Sequence, residues 1–111
     1  MSPTRVKVYH AQRDGYHHVA TVDVSGFEFD NAEVNDVLEY AYRWTQNIEG
    51  SWSLKLGADA NDLVTVHDLD LHLGHRSTNV NDSMVYKGKA YVVKSMGFEQ
   101  HDFPTVKEEW F

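Results

Sequence analysis

The stretch Asp30-Asn31-Ala32-Glu33-Val34-Asn35-Asp36-Val37-Leu38-Glu39-Tyr40-Ala41-Tyr42-Arg43-Trp44-Thr45-Gln46-Asn47-Ile48 carries the strongest periodic signal in the chain. Val34, Val37, Leu38, Ala41, Trp44, Thr45 and Ile48 recur at helical spacing and fill one arc at 100° per residue. Glu33, Asp36, Glu39, Arg43 and Asn47 fall on the opposite side, and Glu39 with Arg43 is an i,i+4 pair in the favourable order. Asp30 is a good N-cap with Glu33 three residues on, close to a capping box. The spacing predicts one main helix over about 31–47, with Gly50 as a left-handed exit residue.

On either side of this helix the period changes from 3.6 to 2. Val6 and Val8 alternate with Lys7 and Tyr9 over 5–11, and Ala20, Val22 and Val24 alternate with Val19, Thr21 and Asp23 over 17–24. Asp14-Gly15 lies between them, so an N-terminal hairpin is expected. Residues 51–56 alternate as a short strand. Residues 63–73 read as extended, with a phase change near His67-Asp68 that a β-bulge would explain. Residues 83–87 and 89–95 read as a hairpin around Lys87-Gly88, with Tyr86 facing Lys89 and Met84 facing Tyr91. Gly97-Phe98 opens a last short strand. The expected architecture is α+β: an antiparallel, strongly bent or barrel-like sheet of about five to six strands packed on the one helix.

The 111 residues point to a single domain over 1–111. Hydrophobic residues are 41% and charged residues 24%, values of a chain that folds rather than one that stays disordered. There is no cysteine, which excludes disulfides, thiolate metal sites and cysteine nucleophiles. A net charge of −7 disfavours nucleic acid, whose phosphates need clustered Lys and Arg. No apolar stretch approaches the roughly 20 residues that span a bilayer, so a membrane is not an expected partner and the cytoplasm is the expected compartment.

No residue set nominates itself as catalytic. The chain has no GxSxG elbow, no GxxxxGK[ST] and no GxGxxG. For metal, the weak candidates are Asp68, Asp70 and His72, which a regular strand would project from one face, with His67 and His75 close by. No resident cofactor is expected. Two segments are dense in interface-type side chains, 42–52 around the helix exit and 76–82. They supply the candidate binding residues Arg43, Trp52, Arg76, Ser77, Thr78, Asn79 and Asp82. Trp110, at the aromatic chain end, is added as a docking residue, either on its own sheet or in a second copy as a homodimer contact.

The same two segments carry a resemblance. Tyr42-Arg43-Trp44-Thr45-Gln46-Asn47-Ile48-Glu49-Gly50-Ser51-Trp52, followed by Arg76-Ser77-Thr78-Asn79-Val80-Asn81-Asp82 and a hairpin closing in Gly97-Phe98-Glu99, resembles small proteins of bacteriophages and related mobile elements over residues 35 to 99. The commoner form of the second motif there is Arg-Ser-Thr-Ser-Val-Gly-Asp. Here Asn79 replaces the second Ser and Asn81 the Gly. Asn is the best non-Gly residue for a left-handed turn, so the backbone role survives. The resemblance implies a viral origin and no particular chemistry. Taken together, these features lead to the expectation of a small acidic non-enzymatic protein, phage-encoded, that binds a host or viral protein. The alternatives are a metal-dependent hydrolase using residues 67–75, or a self-assembling virion-associated protein.

Overall fold

The computed structural model describes residues 4–13, 15–25, 34–69 and 73–101. Its strands are β1 (Arg5–Gln12), β2 (Gly15–Asp23), β3 (Val64–Val66), β4 (Ser83–Tyr86), β5 (Lys89–Lys94) and β6 (Gly97–His101), with one α-helix, α1 (Val34–Arg43). They form one antiparallel sheet in the order β3-β2-β1-β4-β5-β6. The fold is α+β as expected. β3 and β6 are edges, so the sheet is open and the barrel alternative is not adopted.

The inward face follows from the alternation. Val6 and Val8 of β1, Ala20 and Val22 of β2, Val64 of β3, and Met84 and Tyr86 of β4 join Val37, Leu38 and Ala41 of α1 in one core. Each large apolar side chain fully buried this way contributes about 1.5–3 kcal/mol. Val19 departs from the expected alternation. The register steps from Val8↔Ala20 to Tyr9↔His18, so β2 carries one extra residue there and Val19 is buried in the same core as Ala20. The opposite face of the sheet has a smaller cluster of Tyr9, Val85 and Ala90, with Tyr16 packed against it.

The hairpin at Lys87-Gly88 has the expected register, Tyr86↔Lys89 and Met84↔Tyr91. Both turn residues have positive φ, 51° and 78°, which is the geometry of a two-residue turn matched to strand twist. Three expectations need correction. Residues 51–56 are not a strand; a single bridge, Ser51↔Leu56, closes a turn. Among the described residues of the extended run at 63–73, the strand covers Val64–Val66, and Asp68 takes a left-handed φ of 51° that breaks the extended conformation. The helix ends at Arg43, not at 47. Its expected N-cap, Asp30 with Glu33, lies outside the described residues. Among the described residues no helix is long and apolar enough to cross a membrane.

Candidate functional site

The early end of α1 has a physical cause. Trp44 and Thr45 N–H still bond back to the Tyr40 and Tyr42 carbonyls, and beyond them the backbone exchanges helical bonds for tertiary ones. Asn47 N–H donates to Ser77 Oγ at 2.8 Å, and Ile48, Glu49 and Gly50 N–H all donate to one Asp59 carboxylate oxygen at 2.7–2.9 Å. Gln46 Nε2 reaches the Thr78 carbonyl, and Thr78 N–H donates to the Thr45 carbonyl. The helix exit and the 76–82 segment are thus joined bond by bond.

Gly50 is not the left-handed cap that its position suggested, since it is absent from the residues with positive φ. It is required for a different reason. A Cβ there would stand 2.0 Å from the Leu56 carbonyl oxygen, backbone that cannot give way. Asp59 sits on a 3-10 turn, Gly57–Asp59, and is 1% exposed. Burial raises its carboxyl, but the three N–H donors and the Arg43 guanidinium at 3.3 Å outweigh burial and hold it below the ordinary carboxylate range.

Asp82 is the second buried carboxylate, also 1% exposed. Its oxygens accept from Arg76 Nη1 at 2.6 Å and Nη2 at 2.8 Å, from Ala11 N–H at 2.8 Å and from Asn79 N–H at 2.7 Å. One side chain therefore ties β1 to the 76–82 segment. The Asp82 interaction in turn raises the already high Arg76 pKa. Asn81, at φ 78°, takes the left-handed turn position that the motif assigned to glycine.

Beside Asp82 runs a chain of hydroxyls that starts at His10, 3.9 Å from the carboxylate, and ends on the Ala41 carbonyl. A carbonyl can only accept, so Thr45 Oγ1 donates its one proton to Ala41 O. Thr78 Oγ1 must then donate to Thr45 Oγ1, and His10 Nε2 must donate to Thr78 Oγ1 at 2.9 Å. The order of donors fixes a proton on His10 Nε2. His10 is 1% exposed, boxed by the Trp52 and His75 rings, each 6.2 Å away. Burial pushes its pKa down to about 4, against an opposing pull from Asp82 and with help from Arg76 and His75.

Of the candidate binding residues, the structure brings Arg43, Trp52, Arg76, Ser77, Thr78, Asn79 and Asp82 into one interlocked region. Trp110 lies outside the described residues. Trp52 is buried, its Nε1 donates to the Arg76 carbonyl at 2.9 Å, and its ring stacks on His75 at 5.7 Å. Thr78 is fully buried, Ser77 accepts from Asn47, and Arg43 also lies 4.3 Å above the Trp44 ring. These groups hold one another, and among the described residues no buried side-chain polar atom lacks a partner. The two motifs therefore build one hydrogen-bonded loop body, on which Arg76 and Asn79 stay exposed.

Of the metal candidates, Asp68 is exposed, while Asp70 and His72 lie outside the described residues. His75 is turned away, its Nε2 on the His67 carbonyl at 2.6 Å. Among the described residues no three His, Asp or Glu side chains group to hold a metal. Asp59, His10, Thr45 and Asn47 were not among the candidate residues, yet they form the hubs of the interlock.

Asp82→Asn is expected to lower unfolding stability by about 2–3 kcal/mol, because the amide turns a donor towards Arg76 or Asn79 N–H. Urea unfolding of the two proteins checks it. No protein-family model, no curated protein and no solved structure matches the chain.

Proposed function

We propose that this is a small acidic non-enzymatic binding protein, phage-encoded, that acts in the host cytoplasm by docking on a host or viral protein. One observation carries the reading. The loop body 44–61 is pinned by Asp59 and by the close pass of Gly50 under Leu56, and it holds Ile48 at 61% and Leu56 at 55% exposure. Exposed apolar surface carried together on a hydrogen-bonded loop body supports reading this face as an interaction surface. The net charge of −7 favours a partner with a basic rim around an apolar patch.

Capture from host lysate at about 0.15 M salt should retain one stoichiometric protein. The double variant Ile48→Asp with Leu56→Asp should lose that protein by at least about tenfold while its thermal unfolding stays cooperative. Equal capture by the variant would sink the assignment of the surface, and an empty capture by the natural chain would sink the binding reading itself.

A further inference from the structure

We propose a binding site for a small apolar α-amino acid in the cleft between α1 and the turn that joins β5 to β6. Glu39 and Tyr42 form its helix wall, Lys94 and Ser95 its turn wall, and Val93 and Phe98 its floor. The cleft encloses about 160 Å³, below the roughly 300–1,000 Å³ of pockets for drug-sized ligands, so its occupant is a small metabolite. An ion pair that does not form leaves it charged. Glu39 and Arg43 stand i,i+4 on the helix in the order that favours pairing. Arg43 instead turns to the buried Asp59 carboxylate at 3.3 Å and lies 4.3 Å above the Trp44 ring. Among the described residues neither the Glu39 side chain nor that of Lys94 enters an ion pair. A carboxylate and an ammonium thus face one cleft from different walls without pairing across it.

The ligand class follows from these groups. The helix wall takes an ammonium on Glu39. The turn wall takes a carboxylate on Lys94, with the Ser95 hydroxyl beside it as a second donor. The α-carbon of a free amino acid carries both groups, whereas a simple amine or a simple carboxylate satisfies one wall and leaves the other. The floor selects the side chain. The Tyr42 and Phe98 rings meet edge to face at 6.2 Å, and Val93 is buried beside Phe98. An apolar side chain gains contact there, while a charged one would lose its water without a partner. The cleft is distinct from the Ile48 and Leu56 surface, so the two readings stand or fall separately.

The test is an NMR titration of the full chain with leucine and with phenylalanine. The expected result, for at least one of them, is saturable shifts at Lys94, Ser95 and Gly97 and in the Tyr42 and Phe98 rings, fitting one site with a dissociation constant of about 1 mM or below. Glu39→Gln and Lys94→Gln should each weaken binding by at least about fivefold. Both residues are exposed, so both variants should melt close to the natural chain. Isocaproate, which is leucine without its amine, gives a second reading in the natural chain alone, where it should bind more weakly than leucine. No saturable shift with either amino acid up to about 20 mM, binding indifferent to both substitutions, isocaproate binding as well as leucine, or shifts centred away from the cleft would overturn the site.

Discussion

Trp52→Ala will destabilise the protein by about 3–5 kcal/mol, a large part of the stability of a chain this size. Among the described residues Trp52 is the largest fully buried side chain, and it belongs to the core that α1 shares with the sheet. Its removal leaves a cavity between that core and His75, and it strips the Arg76 carbonyl of its indole donor. Trp52→Phe separates the two effects. It keeps most of the packing and loses the hydrogen bond, so about 1–3 kcal/mol is expected. Equilibrium urea unfolding reads both. An alanine variant within 1 kcal/mol of the natural chain, on the scale of an ordinary surface change, would mean that the interlock of the two motifs does not bear on the core.

The expected cost explains why these motifs looked functional in the sequence. Trp, Arg, Thr and Asn crowd into 42–52 and 76–82, and such density is shared by binding surfaces and by polar interlocks that join loops. The sequence pattern distinguishes neither, because partners such as Thr78 and Thr45 lie 33 positions apart. Local signals did better where the cause is local. The Lys87-Gly88 hairpin and its register follow from turn chemistry, and the inward valines of β1 and β2 from period 2. His10 was legible in the same way. It continues the Val6, Val8 alternation and so faces inward, a signal hidden by the habit of placing histidine on surfaces.

The misses share one physical source, tertiary bonds that override local preference. Residues 44–47 have helical spacing, yet the Thr45 carbonyl accepts from Thr78 N–H and Asn47 N–H donates to Ser77 Oγ in place of a further helical turn. The bulge at Val19 has no sequence mark, since valine suits a regular strand and a bulged one alike. The Glu39–Arg43 helical pair fails for the same reason as the helix end, since the buried Asp59 carboxylate holds Arg43.

Acid should unfold the protein early, through His10 first. Its folded pKa of about 4 lies below the ordinary value near 6.5. The unfolded chain therefore binds the proton that the folded chain refuses. Stability from this group is full above pH 6.5 and falls as pH drops towards 4, at about 1.4 kcal/mol per pH unit, or on the order of 3 kcal/mol across the window. His18 has the same sign and the same window, with a smaller share because its ring is only part-buried. The carboxylate of Asp59 acts lower. Its folded pKa lies below the ordinary carboxylate range, so its contribution is lost only as pH falls beneath that range. The two regimes can be read apart by measuring urea unfolding at half-unit steps from pH 7 to about pH 2, with the Asp59 loss falling below about pH 4. Between pH 6.5 and 4.5 the natural chain should lose between one and two protons' worth of slope, and His10→Gln should lower that slope by close to one proton whatever it does to absolute stability. A slope that His10→Gln leaves unchanged would mean that His10 takes its proton in the folded state, through a rearrangement of the Thr78–Thr45 chain that opens Nδ1 to water.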